Sequence, residues 1–311
     1  MSGIGIIQNR RAGKKRGPFR GRIGKKLGYV LGDPESLHET SRVEEIAEVA
    51  REFCERDVDI VGIGGGDGSN HYVLDGLVKA YGDKPLPKVA FLCGSAHNAH
   101  AMRIGVSGEP DILLQNIVRK YHTGARFDME YRVLLRIDDG QRLHHGFSLA
   151  TGFMHRFYEE LVSQRTDSAI KVAAQIAAWS GNLLTGGSRL KELFRLEPAR
   201  VRIDGEPLDW PEINGVSCSG MEMLGLGFKP YVRASEMPRT FHEVVLKCKA
   251  TRFMRFMADY RRGRVPVHPD SYSNIAGEVE LEMDGPISYV LDGELYRGGP
   301  LLKVQTGPRL Q

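Results

Sequence analysis

The stretch Ile60-Val61-Gly62-Ile63-Gly64-Gly65-Gly66-Asp67-Gly68-Ser69-Asn70 holds the residues with the clearest chemical purpose. Three successive glycines after an apolar run let main-chain N–H groups turn toward an anion with no Cβ in the way, and a helix starting there adds its positive end. A phosphate suits such a turn. Asp67 repels a phosphate unless it binds a metal, accepts a hydroxyl hydrogen bond or removes a proton, and that oddity favours kinase-like chemistry. The competing reading is a glycine-rich β-turn with no ligand. GxxxxGK[ST] is absent, and GxGxxG fails because Asp67 stands where its last glycine should be.

A second candidate lies far along the chain at Asp292-Gly293-Glu294. Phosphoryl transfer is mostly positioning and charge neutralisation, and it needs one carboxylate aimed at the attacking oxygen. Asp-Gly is also the favoured pair of two-residue hairpin turns, and a second copy of the triplet, Asp204-Gly205-Glu206, shows how little three residues decide. His144 and His145 are neighbours on a strand pattern and point to opposite faces, so a shared metal is not expected. No GxSxG or HExxH occurs, which leaves hydrolase chemistry unsupported.

The elements that position these residues follow from periodicity. Gly3–Gln8 reads as a short apolar strand, Val43–Cys54 as an amphipathic helix with capping-box spacing between Ser41 and Glu44, and Asp59–Ile63 as a buried strand. Val73, Leu74, Leu77 and Val78 mark the next helix, Lys88–Leu92 a third strand, and Gly94–Asn98 a second small-residue loop. Parallel βαβ units are expected up to about residue 125. Beyond it, Tyr131–Ile137, His145–Ala150 and Val279–Met283 alternate like antiparallel strands, with hairpin pairs at Asp139-Gly140, Asp204-Gly205, Asp284-Gly285 and Asp292-Gly293. A helical insertion is expected at about 168–194.

Length and composition agree with this division. The 311 residues exceed one ordinary core, 41% are apolar and 26% charged, and neither a disordered chain nor a fibre has that balance. Glycine, 37 residues in all, is in excess of the usual roughly 7%. Residues 10–26 hold nine Arg or Lys and no acid, a local charge run rather than a basic face, and no nucleic-acid-binding pattern accompanies it. The run is either a solvated excursion or a grip on phosphates or anionic lipid. Cys54, Cys93, Cys218 and Cys248 lie far apart without a CxxC pair, the usage of a reducing compartment. With no secretory leader pattern and with Val172–Trp179 too short to cross a bilayer, the expected place is the cytoplasm, with membrane contact at most peripheral.

Together, Gly65–Ser69, the strand ending in Asn9 with Gly13 after it, and Gly94-Ser95-Ala96-His97-Asn98 followed by Ala101 and Ile104-Gly105-Val106 resemble the catalytic domain of the diacylglycerol kinase-like lipid kinases. That family includes sphingosine and ceramide kinases and shares its GGDG loop with NAD kinases. Ala150-Thr151-Gly152-Phe153 is similar to its strand-end glycine segment, and Asp292-Gly293-Glu294 before the strand Leu301–Gln305 to its late DGE motif.

The resemblance implies an N-terminal doubly wound α/β nucleotide-binding domain and a mainly antiparallel β-sandwich second domain, with the active site in the interdomain cleft. The domains would be 1–125, completed by 296–311, and 126–295. ATP and Mg²⁺ are the implied cofactors, and a lipid alcohol the acceptor of the γ-phosphoryl group. Asn9, Gly65, Gly66, Gly68, Ser69, Gly94, Ser95 and Asn98 would border the nucleotide; Asp292, Glu294 and Asp67 would be the catalytic acids. Arg10 stands where the family often has proline, Ala99 where it often has aspartate, and Pro238-Arg239 where it has an Asp-Gly pair that helps hold a metal in some members. Two alternatives stay open: a nucleotide- or lipid-binding member with impaired turnover, and a soluble-substrate kinase related to NAD kinases.

Overall fold

A computed structural model describes residues 3–10, 22–93, 101–102, 104–164, 188–224 and 227–311. The chain forms two compact units, Met1–Arg132 with Arg309–Gln311, and Val133–Pro308. Of the segment 296–311, expected to complete the first unit, the residues as far as Pro308 belong to the second, and Arg309–Gln311 belong to the first. There the Val89 N–H donates to the Gln311 carbonyl at 2.9 Å, satisfying part of a sheet edge.

The first unit runs β1 (Ile4–Asn9), α1 (Arg22–Leu31), β2 (Leu37–Thr40), α2 (Val43–Glu55), β3 (Ile60–Gly64), α3 (Asp67–Tyr81), β4 (Lys88–Phe91) and α4 (Pro110–Thr123). Its four strands are parallel in the order β2-β1-β3-β4. Alternation along β1 decides which helices cover which face. Ile4 and Ile6 join Leu27 of α1 and Leu114 of α4 in one cluster. Gly5 points the other way, where a Cβ would meet the Phe53 ring of α2 at 2.5 Å. Helices therefore cover both faces, as expected for a doubly wound sheet. Leu27 is fully buried and contributes about 2 kcal/mol of apolar burial.

Helix α1 was not legible in the sequence, since Gly24 and Gly28 interrupt its pattern. Both face β2: a Cβ on Gly24 would displace the carboxylate end of Glu39, and one on Gly28 would stand 3.3 Å from Leu37. The capping of α2 is shifted by one residue. Arg42 is the N-cap and Glu45, not Glu44, reaches back to accept from the Ser41 N–H at 2.7 Å and from the Arg42 Nε at 2.9 Å.

The second unit contains β5 (Arg132–Asp138), β6 (Leu143–Gly146), β7 (Ser148–Thr151), α5 (Phe153–Ser163), α6 (Ser188–Leu193), β8 (Glu197–Pro198), β9 (Arg200–Ile203), β10 (Glu206–Leu208), β11 (Glu212–Ile213), β12 (Gly215–Ser219), β13 (Phe241–Leu246), α7 (Ala250–Arg261), β14 (Ser271–Ala276), β15 (Glu278–Glu282), β16 (Ser288–Leu291), β17 (Glu294–Arg297) and β18 (Leu301–Leu310). Two six-stranded, mainly antiparallel sheets result, β10-β9-β15-β18-β5-β6 and β14-β13-β12-β7-β16-β17. Leu135, Val279 and Leu302 of the first share one core with Leu149, Val245 and Tyr289 of the second, which makes the unit a sandwich. On the second sheet's outer face Phe153, Val244, Leu246, Phe256 and Tyr260 form another cluster under α5 and α7.

Two strand readings change. His145–Ala150 is not one strand: β6 ends at Gly146 and β7 starts at Ser148, in different sheets. Asp284-Gly285 is not a hairpin turn, because β15 and β16 also lie in different sheets. Residues 11–21, Gly94–Asn98 and 165–187, which hold most of the basic run, the second loop and most of the helical insertion, lie outside the described residues.

Candidate active site

In the first unit the chain leaves β1 for β2 on one side and returns across β1 to β3 on the other. The carboxyl ends of β1 and β3 thus flank the reversal of strand order, the place where open α/β sheets bind ligands. Gln8 pairs with Gly64, so the two ends stand level. Asn9 Nδ2 donates to Ser69 Oγ at 2.7 Å and joins residues sixty positions apart.

The glycines are required by this closeness. A Cβ on Gly64 would run into Gln8 Oε1, and one on Gly65 into the Ser69 side chain. Gly66 is the N-cap of α3, extended at φ −101° and ψ −170°, with no side-chain cap bond to the helix's first N–H groups. The N-terminus of a helix with no side-chain cap, beside two glycines, suits a phosphate. Asp67 is the first residue of α3, where its charge also favours the helix dipole; the acid in the loop therefore has a structural role as well. Asn9, Gly65, Gly66, Asp67 and Ser69 come together, and Gly68 lies in the same first turn. Gly94, Ser95 and Asn98 lie outside the described residues.

In the second unit Asp292-Gly293 is the two-residue loop of the β16–β17 hairpin, with Leu291 paired to Glu294. Both loop residues have left-handed φ, +51° and +92°, as a primed hairpin turn demands. The Asp292 carboxylate accepts from two main-chain donors, Phe147 N–H to Oδ2 at 2.9 Å and Ser148 N–H to Oδ1 at 3.0 Å. Its own N–H donates to the Ser148 carbonyl at 2.9 Å. The break between β6 and β7 turns those donors toward it, and Gly146 leaves it room, since a Cβ there would stand 2.6 Å from Oδ2. A carboxylate fixed at both oxygens is oriented before any substrate arrives, as a proton acceptor must be. Glu294 is half-buried at the start of β17.

Sequence reasoning missed Tyr158. Its hydroxyl occupies the space beside Gly293, 2.9 Å from where a Cβ would sit. Tyr158 projects from α5, whose N-cap Gly152 has φ +61° and where a side chain would collide with the Asn214 carbonyl. Ala150-Thr151-Gly152-Phe153 carried the signal that something happens here, but no spacing rule pointed six residues further on.

Two adjacent residues of β13 titrate far from their ordinary ranges. Burial pushes the Glu243 carboxyl up to about 9, so it is neutral near pH 7. Burial pushes His242 down to about 4. The Arg233 N–H lies 3.2 Å from its Nδ1, and Ser273 Oγ lies 2.7 Å from its Nε2. Among the described residues, no group of three or more His, Cys, Asp or Glu is placed to hold a metal ion. Arg239 has a left-handed φ of +60°, a conformation that glycine takes more easily than arginine. None of the four cysteines forms a disulfide, and all are buried.

Residues 4–127 match the family model of the diacylglycerol kinase catalytic domain. Over its full length the chain is similar to a diacylglycerol kinase structure from Bacillus anthracis str. Sterne, with TM-score 0.63 and 16% identity, covering 100% of this chain and 94% of that one. Two further structures from the same organism align with TM-scores of 0.64 and 0.63 and identities of 17% and 18%. At these identities the likeness establishes the fold. A search of curated proteins returns no significant match. The matched segment is a diacylglycerol kinase-like catalytic domain, as its glycine motifs indicated. Its class is that of a kinase, a phosphotransferase.

Proposed function

We propose that this protein is an ATP-dependent lipid kinase. The observation that carries the reading is the junction of Asn9, Ser69 and the Gly64–Gly66 turn at the reversal of strand order, a main-chain seat for a triphosphate. ATP binds there with its phosphates toward the N-terminus of α3. A lipid hydroxyl oxygen attacks the γ-phosphorus, the bond to the β–γ bridging oxygen breaks and ADP leaves. The hydroxyl proton passes to Asp292, with Glu294 beside it across the turn. Asp67 is the acid on the phosphate side. No step is assigned to a protein-held Mg²⁺, because the described residues offer no cluster for one.

Among the described residues no helix is long and apolar enough to cross a membrane, so a lipid acceptor must be reached from the surface. The basic run of residues 10–26 supports docking on anionic lipid, and high salt then releases the protein from acidic vesicles. The test of the whole reading is transfer of label from γ-labelled ATP to lipid extracts. Label in the organic phase, lost in Asp292→Asn and in Asp67→Asn, supports it. Label confined to the aqueous phase indicates a soluble acceptor, and normal labelling by both variants means the roles are wrong.

A further inference from the structure

The four Asp-Gly pairs beyond residue 125, at 139, 204, 284 and 292, do not do the same work. Asp139 is 3% exposed, far from the solvent-facing aspartate an ordinary hairpin tip presents. Its Oδ1 accepts from the main-chain N–H groups of Gln141 at 2.9 Å and Arg142 at 2.7 Å. Its Oδ2 accepts from the Tyr289 hydroxyl at 2.9 Å, in a buried bond, with His144 Nε2 3.7 Å away. The Asp139 carbonyl accepts from the Gly299 N–H at 2.7 Å. Gly298 is bare where a Cβ would stand 2.5 Å from that of Asp139.

These contacts fall on both strands of one hairpin. Tyr289 lies on β16, three residues before Asp292, and is fully buried. Its ring stacks on that of Tyr296 on β17 at 5.3 Å, and the Tyr296 ring lies 4.5 Å from that of His144. Gly298 and Gly299 close the hairpin base, bonded to Ile287 at 2.9 and 3.0 Å. Asp139 therefore ties one strand by a side chain and the end of the other by the main chain, while Phe147 and Ser148 fix the tip.

We infer that Asp139 is a positioning residue for Asp292, acting through the Tyr289 hydroxyl on the hairpin that presents the proton acceptor. The inference rests on the proposed role of Asp292. Misplacing a reacting group by about 1 Å is enough to lower a rate about a hundredfold, so a slackened hairpin tells on turnover before it tells on nucleotide binding.

The test is steady-state phosphoryl transfer by the full chain carrying Tyr289→Phe, which removes one hydroxyl and leaves the ring stack. The expected result is a kcat about tenfold lower with KM for ATP unchanged. Asp139→Asn keeps an acceptor for the two main-chain donors and turns an amide Nδ2 donor toward the Tyr289 oxygen in place of the charged acceptor, so it is expected to lower kcat by less than Tyr289→Phe. The double variant should then lose no more than the worse single one, since both act through one bond. In an Asp292→Asn background, Tyr289→Phe should change nothing further. A full kcat for Tyr289→Phe beside an inactive Asp292→Asn overturns this inference alone, as do additive losses in the double variant. An active Asp292→Asn protein overturns the reading beneath it, and this inference with it.

Discussion

The triplet Asp-Gly-Glu occurs twice in the second unit, and its two copies fold almost alike. Asp204 and Gly205 have φ of +50° and +87°, Asp292 and Gly293 of +51° and +92°, and each pair is the two-residue loop of an antiparallel hairpin. Each aspartate also accepts two main-chain N–H bonds. Asp204 takes both on Oδ1, from Gly277 at 2.9 Å and Glu278 at 2.8 Å, and is exposed. Asp292 takes one on each oxygen and is half-buried, with Gly146 below it and the Tyr158 hydroxyl over the next residue. Turn chemistry alone explains the first copy. Packing from β6, β7 and α5 makes the second a candidate site, so what separates them lies outside the triplet.

The sharpest way to break that comparison is to neutralise both aspartates. Asp292→Asn should lower phosphoryl transfer about a thousandfold, within the range ascribed to a general base, and Asp204→Asn should leave it within about twofold. Equal effects would put the two turns in one class. The glycines come next. Gly293→Ala and Gly205→Ala both force a left-handed backbone on alanine and should each destabilise by about 1–2 kcal/mol in denaturant titration. Only Gly293→Ala also displaces Tyr158, since nothing lies within 4 Å of a Cβ at Gly205. Activity should fall about tenfold in the first and hold in the second.

A smaller effect is expected of Tyr158→Phe, which leaves the ring and removes the hydroxyl beside the turn. A loss of about fivefold in kcat/KM, the size of one hydrogen bond, fits a hydroxyl that belongs to the site. No loss makes Tyr158 packing only. The last prediction sets a control on pH. Glu243 keeps its proton on folding while the unfolded chain releases it, so stability is greatest below its ordinary value of 4.5 and falls as pH rises toward about 9. At pH 7 the loss is about 3 kcal/mol. Glu243→Gln should flatten that slope in thermal unfolding while leaving the ratio of activities at Asp292 and Asp204 untouched. An unchanged slope would mean that Glu243 is not the group responsible.

Much of this was readable from residue patterns, and the failures have physical causes. Strands β1, β3 and β4 announced themselves because buried parallel strands are continuous apolar runs. The phosphate turn was legible because only glycine permits its close approaches. Helix α1 hid because Gly24 and Gly28 lie on its face toward β2, where they interrupt the apolar period without breaking the chain. The gap at Phe147 could not be seen, since a strand that changes sheets keeps its alternation. Yet that gap supplies the donors that hold Asp292. Tyr158 and Asp139 were invisible as site residues for a related reason. Their meaning comes from neighbours far away in sequence, and one chain alone does not record such proximity.

Chemical rescue tests most directly whether a carboxylate at position 292 receives the hydroxyl proton. Asp292→Gly and Asp204→Gly would be assayed for transfer of label from ATP with increasing formate. The account predicts that Asp292→Gly is inactive in buffer and recovers with formate concentration, while Asp204→Gly is active and indifferent to it. An Asp292→Gly protein that transfers phosphate at the full rate without formate would contradict it.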